Sequence, residues 1–311
     1  GTVRDFCLQV LKSGDLATKL AAPTDPNGAP LPDCSGGSPV LLDGPKRDPG
    51  LKMNGGSDRL PRPGMLRERE HRQSCLARFA HHELQAVEYF AWALLRWPDL
   101  PAELRRGLLS ALVDEQLHCR LYLGRLEAQG GHFERDDHSD YFWRQAPAIA
   151  NSPAGPRAFL AVMGLTLEQA NLDFTLTFRD GFAEAGDHES AAVCQIVHDD
   201  EIGHVALAAR WLPRLASGDS AVANPHVAQD LEAYLKAVPF PMGPARAKGR
   251  RFEVAPRRRA GLSAELIEHV RLARSNSELG LSKDGTTLPP DPQNQSKREA
   301  AGTHDVEPKK K

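Results

Sequence analysis

Two pentapeptides carry the residues best suited to hold a metal ion: Asp114-Glu115-Gln116-Leu117-His118 and Asp200-Glu201-Ile202-Gly203-His204. Both spell Asp-Glu-x-x-His. On a helix, residues three apart share a face, so each Glu and His can offer a carboxylate oxygen and an imidazole nitrogen to one ion. A lone Glu-x-x-His says little, because a chain of this composition supplies about one by chance. Glu68-Arg69-Glu70-His71 is read as such a chance match, since its charged surroundings have no counterpart in the second half.

What distinguishes the two pentapeptides is what precedes them. Glu83 lies in Phe79-Ala80-His81-His82-Glu83-Leu84-Gln85-Ala86-Val87-Glu88-Tyr89, and Glu168 in Leu165-Thr166-Leu167-Glu168-Gln169-Ala170-Asn171-Leu172-Asp173-Phe174. Both are glutamates on largely apolar faces, followed five residues later by a second acid and then an aromatic. The offsets agree: 168 − 83 = 85, 201 − 115 = 86 and 204 − 118 = 86. A helix pair is therefore repeated with its chemistry in register. Four carboxylates and two imidazoles suit iron or manganese, and the pattern holds no thiolates that would point to zinc. Buried without cations, so many carboxylates would cost many kcal/mol or take up protons. One Glu from each of two helices and a Glu-x-x-His from each of the other two is the ligand set of ferritin-like dimetal bundles. The expected ligands are thus Glu83, Glu115, His118, Glu168, Glu201 and His204. Asp114 and Asp200 are expected to accept from the outer ring nitrogens of the histidines, crosswise between the two helices, against the alternative of exposed or capping aspartates.

Four long helices must position these groups. The apolar spacing of Leu76, Phe79, Ala80, Val87, Phe90 and Leu94 predicts the first over 65–97, stopped by Pro98. The second runs from Pro101 to about Gln129, ended by Gly130-Gly131. The third spans about 156–186 and the fourth 187–215, with Asp187 as its N-cap. Short links within each pair predict antiparallel hairpins, joined by a longer crossover over 131–153. The fold class is therefore all-α: a ferritin-like four-helix bundle of two repeated hairpins, with extra N- and C-terminal segments. The expected organisation is 1–64, a short helix at 3–11 and a Pro/Gly-rich irregular or partly disordered stretch; 65–217, the dimetal bundle; 218–275, C-terminal helices at 226–237 and 263–274 around a wrapping extended segment at 239–261; and 276–311, a disordered polar tail.

Composition narrows the rest. The 311 residues carry a formal net charge of -2, which argues against a global basic field for nucleic acid. An RNA contact by the basic run 246–259 or by Lys309-Lys310-Lys311 is the less favoured reading, because charge runs are more often solvated. Five scattered cysteines, with no CxxC pair, read as reduced thiols of a cytoplasmic protein. No apolar run is long enough for a membrane span.

On these stretches, together with Arg257-Arg258-Arg259-Ala260-Gly261-Leu262, the chain resembles the ferritin-like domain-of-unknown-function family 455 over most of residues 65–275. The wider superfamily contains di-iron hydroxylases such as the tRNA-modifying enzyme, ribonucleotide reductase small subunits, and ferritins. The resemblance implies two iron ions, with manganese or a mixed pair as alternatives. It also implies bridging carboxylates from Glu115 and Glu201, terminal ones from Glu83 and Glu168, and one histidine on each metal. An oxygen-activating oxidoreductase, a hydroxylase or oxidase taking dioxygen, a small-molecule substrate and an electron donor, leads. Metal storage or peroxide handling, and a non-enzymatic metal-binding scaffold, are the alternatives.

Some residues near the motif have blander readings. His81 or His82 could add a ligand, but hydrogen-bonded histidines are commoner. Glu88 and Asp173, five residues past their ligands, are off the ligand face and read as ion-paired. Tyr89 and Tyr122 read as core aromatics with satisfied hydroxyls, and Cys119 and Cys194 as small buried hydrophobes.

Overall fold

The computed structural model describes residues 1–217 except 35 and 136, residues 230–275, and residues 278–279. Among them the fold is all-α, with no strand. Its helices are α1 (Val3–Lys12), α2 (Arg69–Arg96), α3 (Ala102–Ala128), α4 (Pro156–Val162), α5 (Gln169–Glu184), α6 (His188–Ser217), α7 (Asp230–Ala237), α8 (Val254–Arg259) and α9 (Ala264–Leu272), with one-turn helices at Leu16–Lys19 and Ala146–Ala150. The expected disordered tail, apart from residues 278–279, and the start of the 226–237 helix lie outside the described residues.

Local chemistry sets the helix ends. Pro98 and Pro101 bracket the tight turn between α2 and α3. Gly130, at φ 72°, lets the chain fold back so that the amide of Gly131 donates to the carbonyl of Leu126 at 2.9 Å, closing α3. The carboxylate of Asp187 caps α6 by accepting from the amide of Ser190 at 3.1 Å. It also accepts from Arg125 and Gln129 near the end of α3, tying the two hairpins at one pole.

The stretch expected as one helix over 156–186 is interrupted. Between α4 and α5, Met163–Glu168 forms a π-helix, a wider turn with one residue more than the α-helix allows. Gly164 explains how it fits: a Cβ there would lie 2.2 Å from the Cβ of Ala208 on α6, so the two backbones meet at a distance no other residue permits.

α2 packs along α3, α5 along α6, and α3 meets α6 across the bundle. The apolar interior divides into two clusters. One, around Leu76, Phe79, Tyr122, Phe178 and Phe182, fills one end. The other, around Phe90, Trp92, Leu108, Phe159 and Trp211, fills the rest. Glu83, Glu115, Glu168 and Glu201 sit along their helices between residues of the two clusters.

The flanking segments do more than cover the bundle. The described residues of 23–63 contain a 3-10 turn at Pro49–Leu51 and pack on the bundle. They bury Leu51 and send Arg47 inward to Glu88 at 2.8 Å, where Lys19 adds a second cation at 3.0 Å and the indole of Trp143 donates at 3.1 Å. The segment expected as extended over 239–261 contains a 3-10 turn at Pro244–Arg246 and the short helix α8. From α8, Arg257 forks onto Asp173 at 2.7 and 2.9 Å, its guanidinium stacked on Phe252 at 4.0 Å. Asp173 also accepts from the amides of Gly249 and Glu253. Since 173 − 88 = 85, these acids are equivalent positions of the repeat, and each is neutralised by an arginine from outside the hairpins.

Removing one member of such a buried pair strands the other. R257M is expected to cost about 3–5 kcal/mol in urea unfolding. Adding D173L to R257M should recover only part of that, because the amides of Gly249 and Glu253 then lose their acceptor.

Candidate metal centre

The six expected ligand residues converge in the middle of the bundle. Glu115, His118 and Glu201 are fully buried, and Glu83, Glu168 and His204 nearly so. Two groups form, each with one ligand atom per residue and all atoms within 4.8 Å of one another: Glu83, Glu115, His118 and Glu201, and Glu115, Glu168, Glu201 and His204. Glu115 and Glu201 belong to both. Each helix supplies its ligands by spacing alone, because the Glu and His of α3 and of α6 are one helical turn apart.

The histidines present Nδ1 inward and Nε2 outward. His118 Nδ1 lies 3.3 Å from Glu115. His204 Nδ1 lies 3.1 Å from Glu115 and 3.2 Å from Glu201. Outward, His118 Nε2 meets Asp200 at 3.0 Å and His204 Nε2 meets Asp114 at 3.2 Å, so the aspartates reach crosswise between α3 and α6. Both aspartates are 39 % exposed, so their own negative charge costs little in desolvation. An Nε2–H donated to each leaves the Nδ1 lone pair free to face inward.

Electrostatics show what the cluster lacks. Burial, reinforced by the neighbouring carboxylates, pushes Glu83 and Glu168 well above the usual carboxylate range. Glu115 is held down at about 2 although burial opposes it, because His118 and His204 hydrogen-bond to it. Burial works against His118 too, but Asp200 and Glu115 raise it to about 10; Asp114, Glu115 and Glu201 likewise raise His204 well above normal. Left alone, the cluster neutralises itself with protons. Glu168 Oε1 is buried and has no hydrogen-bond partner. Two divalent cations would balance the four carboxylates and give that oxygen a partner, so the residues present fit a dimetal group.

Asn171 escaped the sequence reading. Its side-chain amide donates to Glu201 Oε1 at 2.8 Å and reaches Glu168 Oε2 at 3.5 Å. The signal was its position three residues past Glu168, on the same helical face. Other residues fall away from the centre. His81 takes the guanidinium of Arg47 at 2.9 Å and stacks on His138, while His82 stacks on Phe142. Glu68 and His71 pair with each other on the surface at 3.4 Å. Tyr89 donates to the carbonyl of Phe142, and Tyr122 faces Cys194. No helix among the described residues is long and apolar enough to cross a membrane.

A family model described as a protein of unknown function, DUF455, matches residues 19–268, so the chain belongs to that family. Comparison with curated proteins and with solved structures gives no match.

The raised values of His118, His204, Glu83 and Glu168 predict the pH dependence of metal uptake. Ligation needs the deprotonated forms, so binding at neutral pH must release protons. The apparent affinity for an added divalent metal ion should therefore rise with pH from neutrality towards about 10, the value of His118. Calorimetry in buffers of different ionisation enthalpy should report the proton release directly.

Proposed function

We propose that this member of the DUF455 family is a ferritin-like dimetal carboxylate protein, binding iron or manganese, and acts as an oxygen-activating oxidoreductase, a hydroxylase or oxidase. The observation that carries the reading is the pair of overlapping ligand groups sharing Glu115 and Glu201. In it, Glu83 and His118 complete one metal position and Glu168 and His204 the other. Such a metal pair supplies redox chemistry and Lewis acidity to a substrate that reaches it.

The chain's own residues prepare that chemistry. Asp114 and Asp200 fix the tautomer and rotation of the two imidazoles. Asn171 orients Glu201 by its hydrogen bond. The apolar clusters above and below exclude water, which strengthens every charge interaction inside.

Elemental analysis after growth with iron and manganese tests the reading. The wild type should hold about two ions per chain. H118A combined with H204A should lose them while circular dichroism still reports a helical fold. Dioxygen consumption by the loaded wild type would then be measured against candidate substrates. A folded wild type that takes up neither metal after reconstitution would overturn the assignment.

A further inference from the structure

The sequence repeat makes the two metal positions formally equivalent, but the side chains around them differ. Phe79, four residues ahead of Glu83, meets Tyr122 and Phe178 at ring-centroid distances of 5.1 Å each. In the second half the residue four ahead of Glu168 is Gly164, and the position matching Tyr122 (122 + 86 = 208) is Ala208. Two rings on one side thus face a hydrogen and a methyl on the other.

Beside Glu168 lies a cavity. It is lined by Glu168 and His204 together with apolar groups, among them Phe90, Leu108, Leu160 and Met163. Its volume is about 10 Å³, close to what one water-sized molecule needs. Only Glu168 and His204 offer polar atoms to an occupant; the rest of the wall is Phe, Leu, Met, Ala and Gly, which suits an apolar molecule at least as well as a water. The π-helix contributes Met163, Gly164 and Glu168 to the same wall, so the extra residue in that turn shapes the cavity.

Outside it, an open groove of about 500 Å³ runs between α3 and α6, past Asp114 and Asp200. Groove and cavity share three lining residues: Ala111, His204 and Leu207. Leu207 is half-buried and seated on Gly107, where a Cβ would come within 2.4 Å of Leu207 Cδ1. A leucine end held against a bare backbone can swing without disturbing a helix.

We propose that the cavity is the binding place of a small uncharged diatomic gas, dioxygen, that it serves the Glu168–His204 position and not the Glu83–His118 position, and that Leu207 gates it from the α3/α6 groove. The proposal deepens the oxygen-activating reading and rests on it for purpose. The existence of the gas site is independent of metal.

The test therefore begins on the metal-free chain, methyl-labelled and equilibrated with dissolved dioxygen. Paramagnetic relaxation should be strongest at the methyls of Leu108, Leu160 and Met163, and weak at Leu76 and Leu84 beside the other position. Equal relaxation on the two sides would overturn the site, whatever the metal analysis shows. A111L, which fills the shared wall, should abolish the enhancement. L207A, which removes the gate and needs no extra room, should keep it and, in iron(II)-loaded protein, raise the rate of nitric oxide binding several-fold. An unchanged rate in L207A, with the cavity signal intact, would overturn the gate. A chain that takes up no iron would sink the dimetal reading while leaving the relaxation result to stand on its own.

Discussion

The constraint on which the structure turns is the burial of carboxylates inside a helical core. Glu83, Glu88, Glu115, Glu168, Asp173 and Glu201 are all almost fully removed from water. An unpaired charge in such a place is among the most expensive features a protein can carry. The fold meets the demand in two ways. Glu88 and Asp173 receive arginines, from the N-terminal flank and from α8 respectively. Among the described residues, the four glutamates between the apolar clusters receive no Lys or Arg, only two imidazoles, the amide of Asn171 and each other. Equivalent acids five residues apart thus end in different surroundings, one closed by a guanidinium and one in a group that could hold a metal ion.

The same constraint explains the flanking segments. Arg47 comes from 41 residues upstream of Glu88, and Arg257 from 84 residues downstream of Asp173. Neither hairpin could bury its outer acid alone. The irregular stretch before α2 and the short helix α8 are therefore part of the energetics of the bundle, and they lock the outer faces of α2 and α5. The crosswise contacts of Asp114 and Asp200 do similar work between α3 and α6. A histidine on one hairpin is oriented by an aspartate on the other, so docking of the two hairpins and preparation of the ligands occur together.

These features were unequally legible in the sequence. The helices and the six central residues could be read because their signals are local: apolar spacing, Glu-x-x-His within one turn, and an offset of 85 or 86 that repeats them. The aspartates were readable for the same reason, lying next to ligands. What was hidden is what depends on distance along the chain. Nothing near residue 47 or 257 names its partner, and a Pro- and Gly-rich stretch reads as irregular whether or not it is packed. The π-helix was hidden for another reason. Its residues, Met163 to Glu168, have ordinary helical composition, and the widened turn follows from the tertiary approach of Gly164 to Ala208.

That approach also shows why a repeat in sequence need not give a symmetric site. The four glutamates and two histidines repeat in register and meet in two overlapping groups. The surroundings differ: Phe79 and Tyr122 pack one flank, while a glycine and an alanine line the other. Asn171 adds a second asymmetry, since its counterpart (171 − 85 = 86) is the methyl of Ala86, which can donate no hydrogen bond to Glu115. Among the described residues, then, Glu201 is the one of the two shared carboxylates held by a side-chain amide, from the α5 side, where Glu168 and the cavity lie. Both departures from the repeat fall around the second half's ligands. The repeat supplies two like groups of side chains, and a few small residues around one of them make the two unlike.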